Sequence, residues 1–181
     1  AELKRERRDP LSASAVIQAR GLEKLIREDD PIEAARWIKD SLDMAWRKMF
    51  RNPYIYCGYA WRAEALRVAA EREPKGASRQ KAIKAAMAAA RTALWITKLY
   101  RTSRAQALRE TGTLLAMQGK AEKAGRYFDE SIRVGESQDA TYEVAKTSLF
   151  RGRAGVQFGW QGAEQELADA EQDVARMTAF W

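Results

Sequence analysis

Apolar residues recur at steps of three and four along nearly the whole chain, and this periodicity limits the possible folds more than any other feature. Ile83, Ala86, Ala90 and Leu94, for example, fall on one stripe. Such spacing is typical of an amphipathic helix with 3.6 residues per turn. No stretch shows the alternation of apolar and polar residues that is typical of a strand. The sequence therefore predicts an all-α fold.

Helix-breaking residues mark the ends of the predicted helices. Asp30-Pro31 and Asn52-Pro53 each place a good N-cap residue before a proline, which suits the first position of a helix. Pro74-Lys75-Gly76 is the clearest loop, and Gly119 and Gly159 end two later helices. These signals predict eight helices in a single domain over residues 1–181. The helices pair into hairpins at about 11–50, 54–99, 103–136 and 140–178.

The composition disfavours most catalytic chemistry. The chain of 181 residues contains no histidine and one cysteine, Cys57, so the commonest general base and any thiolate metal cluster are missing. Neither of the common glycine-rich phosphate loops occurs. We expect Cys57 to be buried beside Tyr54 and Trp61, and the six tryptophans to wedge between helices. The sequence predicts a protein that is not an enzyme and uses no cofactor or metal.

Targeting signals and membrane segments are not evident in the sequence. No window approaches 18 uninterrupted apolar residues, the minimum expected of a spanning helix. The charged segment from Ala1 to Asp9 lacks the apolar region of a signal peptide. A single cysteine suits a reducing compartment. We therefore expect a cytoplasmic protein without a membrane partner.

Two pairs of glycines repeat along the second half of the chain. Gly112 and Gly119 stand seven residues apart, and Gly152 and Gly159 reproduce that spacing forty residues later. The second glycine of each pair falls in a turn, where a left-handed backbone costs glycine little. The first falls inside a helix at a cost of about 1 kcal/mol relative to alanine, so we expect close approach of a neighbouring helix there.

The residues around the first glycine pair resemble the signature of the tetratricopeptide-repeat (TPR) family. Seven of them follow its order of large, glycine, large, glycine, alanine, aromatic and small residues: Leu108, Gly112, Leu115, Gly119, Ala124, Phe128 and Ser131. The next unit matches at Ser148, Gly152, Gly155 and Gly159, and the match covers about residues 104–175. The forty-residue offset exceeds the 34-residue TPR period, so the units look TPR-like with longer helices. The resemblance implies an α-α superhelix, or solenoid, of about four hairpins.

A second resemblance is to the helical arms of large bacterial signal-transduction ATPases, kinases and adenylate cyclases. It rests on Asn52-Pro53-Tyr54, on Tyr142-Glu143 and on the Gly-Trp-Gln-Gly-Ala-Glu run at 159–164. Such arms follow a nucleotide-binding switch and sense or relay a signal. The resemblance implies a regulatory scaffold module whose catalytic parts lie outside this chain.

The TPR resemblance also selects candidate partner-binding residues. In TPR proteins the first helix of each hairpin lines the concave face, and its polar positions meet the ligand. Transferred by position, this rule selects seven residues: Gln106, Arg109, Thr113, Met117, Lys146, Arg153 and Gln157. Three of them are basic, and arginine can hold a carboxylate through two hydrogen bonds. The resemblance thus implies that the partner is a protein or an acidic peptide, and another domain of the same polypeptide is one such partner. The alternative interpretation is that these residues are ordinary exposed charges without a binding role.

A charge-reversal experiment follows from this choice of residues. We expect Arg109→Glu combined with Arg153→Glu to abolish partner binding while helix content and melting temperature stay nearly unchanged.

Phe180 and Trp181 form an apolar terminus through which two copies could pair as a homodimer.

Nucleic acid is the alternative partner. The net charge is +7 and the isoelectric point is about 9.6, and residues 72–104 contain a run of seven cations: Arg79, Lys81, Lys84, Arg91, Lys98, Arg101 and Arg104. Such a run suits a phosphate backbone. Against it, we expect these residues to lie at several angles round a helix, and no base-reading motif is present.

Overall fold

The computed structural model describes residues 9–49 and 51–179, and that part of the chain is all α, without a strand. It contains eight helices of 14 residues or more: α1 (Pro10–Ile26), α2 (Pro31–Arg47), α4 (Gly58–Arg72), α5 (Ala77–Ile96), α6 (Arg104–Met117), α7 (Ala121–Glu136), α8 (Thr141–Phe158) and α9 (Ala163–Thr178). A four-residue helix, α3 (Pro53–Tyr56), and a 3₁₀ turn (Arg101–Ser103) complete it. The all-α prediction is confirmed. Phe180, Trp181 and the segment before Asp9 lie outside the described residues.

The helix starts follow from their cap residues. The side chain of Asp30 accepts a hydrogen bond of 3.1 Å from the backbone N–H three residues on, and Pro31 is the first residue of α2. The side chain of Asn52 accepts one of 2.8 Å from the N–H of Tyr54, and Pro53 opens α3. In both pairs the first residue therefore caps a helix and the proline begins it, as predicted from the sequence.

The predicted helix that opens the second hairpin, directly after Asn52-Pro53, is divided at Cys57 into α3 and α4. The carbonyl of Tyr54 accepts a hydrogen bond of 3.1 Å from the side chain of Gln18 on α1 and one of 2.9 Å from the Cys57 thiol. A Cβ on Gly58 would lie 2.5 Å from the Gln18 side-chain oxygen, so a larger residue there would displace the Gln18 side chain. The Tyr54 carbonyl thus bonds to side chains at the point where α3 ends, and α4 begins at Gly58.

Successive long helices pack as pairs, α1 with α2, α4 with α5, α6 with α7, and α8 with α9. Each pair contacts the next through α2 and α4, α5 and α6, and α7 and α8. In addition α6 contacts both α4 and α8, so these three helices are neighbours. The contacts between successive helices are consistent with a helical repeat. None of the described helices has the length and apolar character needed to cross a membrane.

The glycine pairs take the two conformations predicted from their spacing. A Cβ on Gly112 would lie 2.9 Å from the ring of Phe128, and a Cβ on Gly152 would lie 2.8 Å from the Cα of Leu167. Gly119 and Gly159 adopt left-handed φ angles of 75° and 71°. The prediction of one close helix approach and one left-handed turn in each pair is confirmed.

Two tryptophans and Cys57 depart from the predicted burial. Trp46 and Trp95 are 65% and 59% exposed, because each stands near the end of its helix on a side that no other described helix covers. Trp37, Trp61 and Trp160 are half-buried, and Trp181 lies outside the described residues. Cys57 is half-buried instead of buried.

Candidate functional site

A network of charged and polar side chains, here called the ion network, joins α4, α6 and α8. Its members come from all three helices: Glu64, Arg67, Glu71, Gln106, Arg109, Glu110, Glu143 and Lys146. Arg109 and Glu110 are fully buried, and Glu64, Arg67 and Gln106 are nearly so. Charged groups at this depth must be paired to be tolerated.

Glu64 is the acceptor that links the three helices. Its Oε2 accepts a hydrogen bond of 2.8 Å from the Gln106 side chain on α6, and its Oε1 accepts one of 3.0 Å from the Lys146 ammonium on α8. The Arg109 guanidinium lies 3.7 Å from the same carboxylate. One carboxylate on α4 therefore holds groups from both other helices.

Two arginines hold Glu110 from opposite sides of its carboxylate. Arg67 Nε donates to one oxygen at 2.5 Å, and Arg109 Nε donates to the other at 3.3 Å. Arg67 also donates to Glu71 at 2.6 Å, and Arg109 pairs with Glu143. Removal of any central member would leave a buried charge without its partner.

These pairings set the charge states of the ion network. Burial opposes the ionisation of Glu64, but the positive charges of Lys146 and Arg109 outweigh it and lower its pKa. Burial also opposes the charge of Arg109, but the surrounding carboxylates, with Glu110 first, raise its pKa. For Glu110 the effect of burial exceeds that of Arg67, so its pKa is raised. Glu64 is thus held in its charged form chiefly by Lys146, and Arg109 chiefly by Glu110.

Three of the predicted partner-binding residues, Gln106, Arg109 and Lys146, belong to the ion network. Gln106 and Arg109 are buried, and the Lys146 side chain is 17% exposed. All three face Glu64 on α4, so their polar groups are used inside the chain. The expectation that Arg109 meets a partner at the surface is not met, and Arg109→Glu would place a fourth carboxylate among Glu64, Glu110 and Glu143.

The other four predicted residues, Thr113, Met117, Arg153 and Gln157, line a cavity of about 290 Å³. Its remaining walls are Arg67, Glu71, Arg79, Ala116, Phe128, Phe150 and Ala154. Arg153 and Gln157 are exposed, whereas Thr113 is buried and donates its hydroxyl to the carbonyl of Arg109 at 3.0 Å. We call this space the α6–α8 cavity.

The α6–α8 cavity combines an aromatic ring with uncompensated positive charge. The guanidinium of Arg67 lies 4.9 Å and that of Arg153 lies 5.9 Å from the centroid of Phe150. Glu71 pairs with Arg67, but Arg79 and Arg153 take part in no ion pair within the described part of the chain. The cavity can therefore accept a carboxylate beside an apolar group.

The described residues offer little for covalent or metal chemistry. They include no group of three or more cysteine or acidic side chains that could hold a metal ion. Burial raises the pKa of the Cys57 thiol, although the Gln18 side chain opposes this by donating a hydrogen bond to the sulfur. A raised pKa lowers the thiolate fraction and with it the nucleophilicity at neutral pH.

A second exposed surface, here called the α5 face, consists of Lys81, Lys84, Arg91, Trp95 and Lys98, all of them exposed. The run does not lie on one side of α5, because Arg79 lines the α6–α8 cavity, but its other three members within the helix, Lys81, Lys84 and Arg91, share one side. At 3.6 residues per turn they fall within about a quarter of the circumference. The opposite side of α5 is buried against neighbouring helices, which leaves this side open.

Comparison with models of protein families gives no match for the chain, and comparison with curated proteins finds no significant match.

Sequence reasoning missed the α4 half of the ion network. Arg67 is buried in line with Ala60, Ala63 and Ala70, at the three- and four-residue steps of an apolar stripe. A charged residue in such a stripe signals a buried partner of opposite charge. The sequence alone does not name that partner, because Glu110 lies 43 residues further along the chain.

Proposed function

We propose that this chain is a protein-interaction module in which the α6–α8 cavity binds an acidic segment of a partner protein. The observation that carries the proposal is that two arginines without an ion pair in the described chain, Arg79 and Arg153, line that cavity together with Phe150. Four of the seven residues selected by the TPR resemblance border the same space. We assign no catalytic role to the chain.

A TPR-like superhelix of four hairpins is the architecture we propose for this module. The pairing of helices in chain order and the contacts of α6 with both α4 and α8 support it. The glycine pairs support it too, because each allows one close helix crossing and one tight turn. Stacked hairpins bury apolar faces that a single hairpin cannot bury alone.

Recognition in this proposal is non-covalent. A partner carboxylate would bind Arg153 and Arg79, while an apolar side chain lies against Phe150 and Met117. The ion network holds α4, α6 and α8 in place before binding, so little conformational entropy is lost when the partner binds. From the resemblance to signalling arms, we propose that the partner is another cytoplasmic signalling protein or another domain of the same polypeptide.

Site-specific cross-linking tests the proposal. A photoreactive amino acid at Gln157 should cross-link a defined protein in nuclease-treated lysate, or a tethered domain of the longer polypeptide. The same probe at Arg20, an exposed position on α1, should not. Purified cross-linked partner is then titrated against Arg79→Glu combined with Arg153→Glu, which should weaken binding by about 2–5 kcal/mol because two charge-assisted contacts are reversed.

A matched control distinguishes a loss of binding at the α6–α8 cavity from a loss caused by the change in net charge. Arg20→Glu with Arg27→Glu makes the same change in charge on exposed residues of the first hairpin and should bind as the parent does. Equal binding by the cavity variant and the parent protein would rule out the α6–α8 cavity as the partner site.

A further inference from the structure

Positive charge on the outer side of α5 is not neutralised within the described chain. The helix contains four basic residues and no acidic one. Lys81, Lys84, Arg91 and Lys98 are exposed, and no ion pair among the described residues includes them. On α7, in contrast, the exposed Arg126 pairs with a glutamate of its own helix. The α5 face is therefore available to an external anion.

The length of the α5 face favours a polymer over a small anion. At 1.5 Å per residue, Lys81 and Trp95 are separated by about 21 Å along the helix axis. A single phosphate or carboxylate contacts one or two of these cations at most. A chain with regularly repeated negative charges can contact the whole row and release its counterions.

A cationic cavity continues the row beyond the end of α5. Its volume is about 320 Å³, and its charged lining residues are Lys98, Arg101, Arg104, Glu130 and Arg133. The single acid among them, Glu130, already accepts hydrogen bonds from Arg133 at 2.6 Å. Lys98 belongs to both the α5 face and this cavity, so the two form one basic surface with room for a phosphate group.

Trp95 gives this surface a flat apolar platform. Its side chain is 59% exposed and lies between Arg91 and Lys98 in the row. A nucleobase stacks on such a ring regardless of sequence. Insertion into a membrane needs a broader apolar face, whereas only Trp95 and Leu99 are large exposed apolar residues here.

We infer that the α5 face and the adjoining cationic cavity bind single-stranded nucleic acid. The lysines and arginines neutralise successive phosphates, and Trp95 stacks on an unpaired base. A duplex keeps its bases stacked on one another and offers none to the indole. This activity uses the outer side of α5 and is independent of the α6–α8 cavity.

Direct titration of the full chain tests the inference. The probes are fluorescein-labelled oligouridylate and oligothymidylate of about 16 nucleotides, followed by fluorescence anisotropy over about 50 to 200 mM salt. We expect saturable binding that weakens steeply with salt, quenching of tryptophan fluorescence, and weaker binding of a duplex of equal length. Vesicles rich in phosphatidylserine and a polyglutamate peptide of equal charge serve as competing polyanions.

Two variants divide the charge effect from the stacking effect. Lys84→Glu with Arg91→Glu should weaken binding roughly tenfold or more and flatten the salt dependence, since phosphate contacts are lost. Trp95→Ala should weaken it about fivefold or more with an unchanged salt dependence, and should abolish the quenching. Arg20→Glu with Arg27→Glu carries the same charge change and should leave affinity nearly unchanged, and circular dichroism verifies the fold of each variant.

Three results would overturn the inference. The first is absence of oligonucleotide binding at the lowest salt. The second is an equal loss of affinity in the α5 and α1 charge variants, which would mean attraction to net charge alone. The third is tighter binding of vesicles or polyglutamate than of the oligonucleotides, which would assign the α5 face to a membrane or to an acidic protein.

Discussion

Arg109 and Glu110 are consecutive residues of α6, and both are fully buried. Side chains one residue apart on a helix point in different directions, so α6 must be enclosed from more than one side to bury both. Enclosure by α4 and α8 supplies the opposite charges that make this burial tolerable. Arg109 is within ion-pair distance of Glu64, Glu110 and Glu143.

Arg109→Met keeps much of the side-chain volume but removes the positive charge from among three carboxylates. We expect a loss of about 3–5 kcal/mol in the free energy of unfolding, because breaking one partner of a buried pair leaves uncompensated charge. Urea denaturation measures the loss. Arg133→Met is the control, since Arg133 is largely exposed and pairs with Glu130 at the surface, and it should cost about 1 kcal/mol or less.

Glu64 gives the ion network a pH dependence of known sign. Its pKa is lowered in the folded protein by Lys146 and Arg109. The unfolded chain therefore binds a proton at Glu64 at a higher pH than the folded chain does. The contribution of Glu64 to stability is present above the unfolded pKa of about 4.3 and is lost as the pH falls through the folded pKa.

Comparison of the parent protein with Glu64→Gln measures this contribution. We expect the parent to be the more stable of the two at neutral pH, and the difference in free energy of unfolding to shrink as the pH is lowered below about 4.3. Urea denaturation across pH 7 to pH 3 gives the curve. A difference that stays constant over this range would mean that the charge of Glu64 does not support the fold.

At the scale of the helical elements, two glycines differ in what surrounds them. The backbone of Leu167 on α9 lies within 2.8 Å of where a Cβ on Gly152 would stand. For Gly125 the nearest atom is 3.3 Å away and belongs to the ring of Trp160, a half-buried side chain. A backbone cannot yield without moving its helix, whereas a partly exposed side chain can rotate.

Gly152→Ala should therefore destabilise the protein by about 1–3 kcal/mol, since α8 and α9 must separate. Gly125→Ala makes the same chemical change inside a helix and gains up to about 1 kcal/mol of helix propensity, so we expect an effect near zero or slightly stabilising. Thermal denaturation followed by circular dichroism compares the two. Equal melting temperatures would contradict the close crossing at Gly152.

At the scale of the whole molecule, burial is concentrated on α6. Every residue from Ala105 to Ala116 is buried, because α4, α5, α7 and α8 all contact this helix. On α9, only Ala163 and Ala170 are buried, and its main contacts are with α8. The interior of the molecule is thus centred on one helix, with a less buried helix at its C-terminal end.

Native-state hydrogen exchange should follow this gradient. We expect the amides of α6 to exchange most slowly, near the rate set by global unfolding, and those of α9 to exchange much faster through local opening. Mass spectrometry of peptic fragments resolves the two helices. Equal protection of α6 and α9 would show that the molecule opens as a single cooperative unit.

The sequence by itself determined the local features of this protein. Asp30 and Asn52 cap helices because their side chains reach backbone N–H groups a few residues away. Gly119 and Gly159 turn left-handed because no Cβ hinders them. These causes act within a few residues, so the periodicity and the breakers were sufficient to predict all eight long helices.

Only the tertiary structure decided which charges face inward. Arg109 and Arg153 were selected by the same positional rule, yet one is enclosed and the other is exposed, because Glu64 and Glu143 come to Arg109 from two other helices. Likewise Lys81, Lys84 and Arg91 became one open surface only once α4 and α6 covered the opposite side of α5. Burial and ion pairing depend on groups far apart in the chain, and no local pattern contains that information.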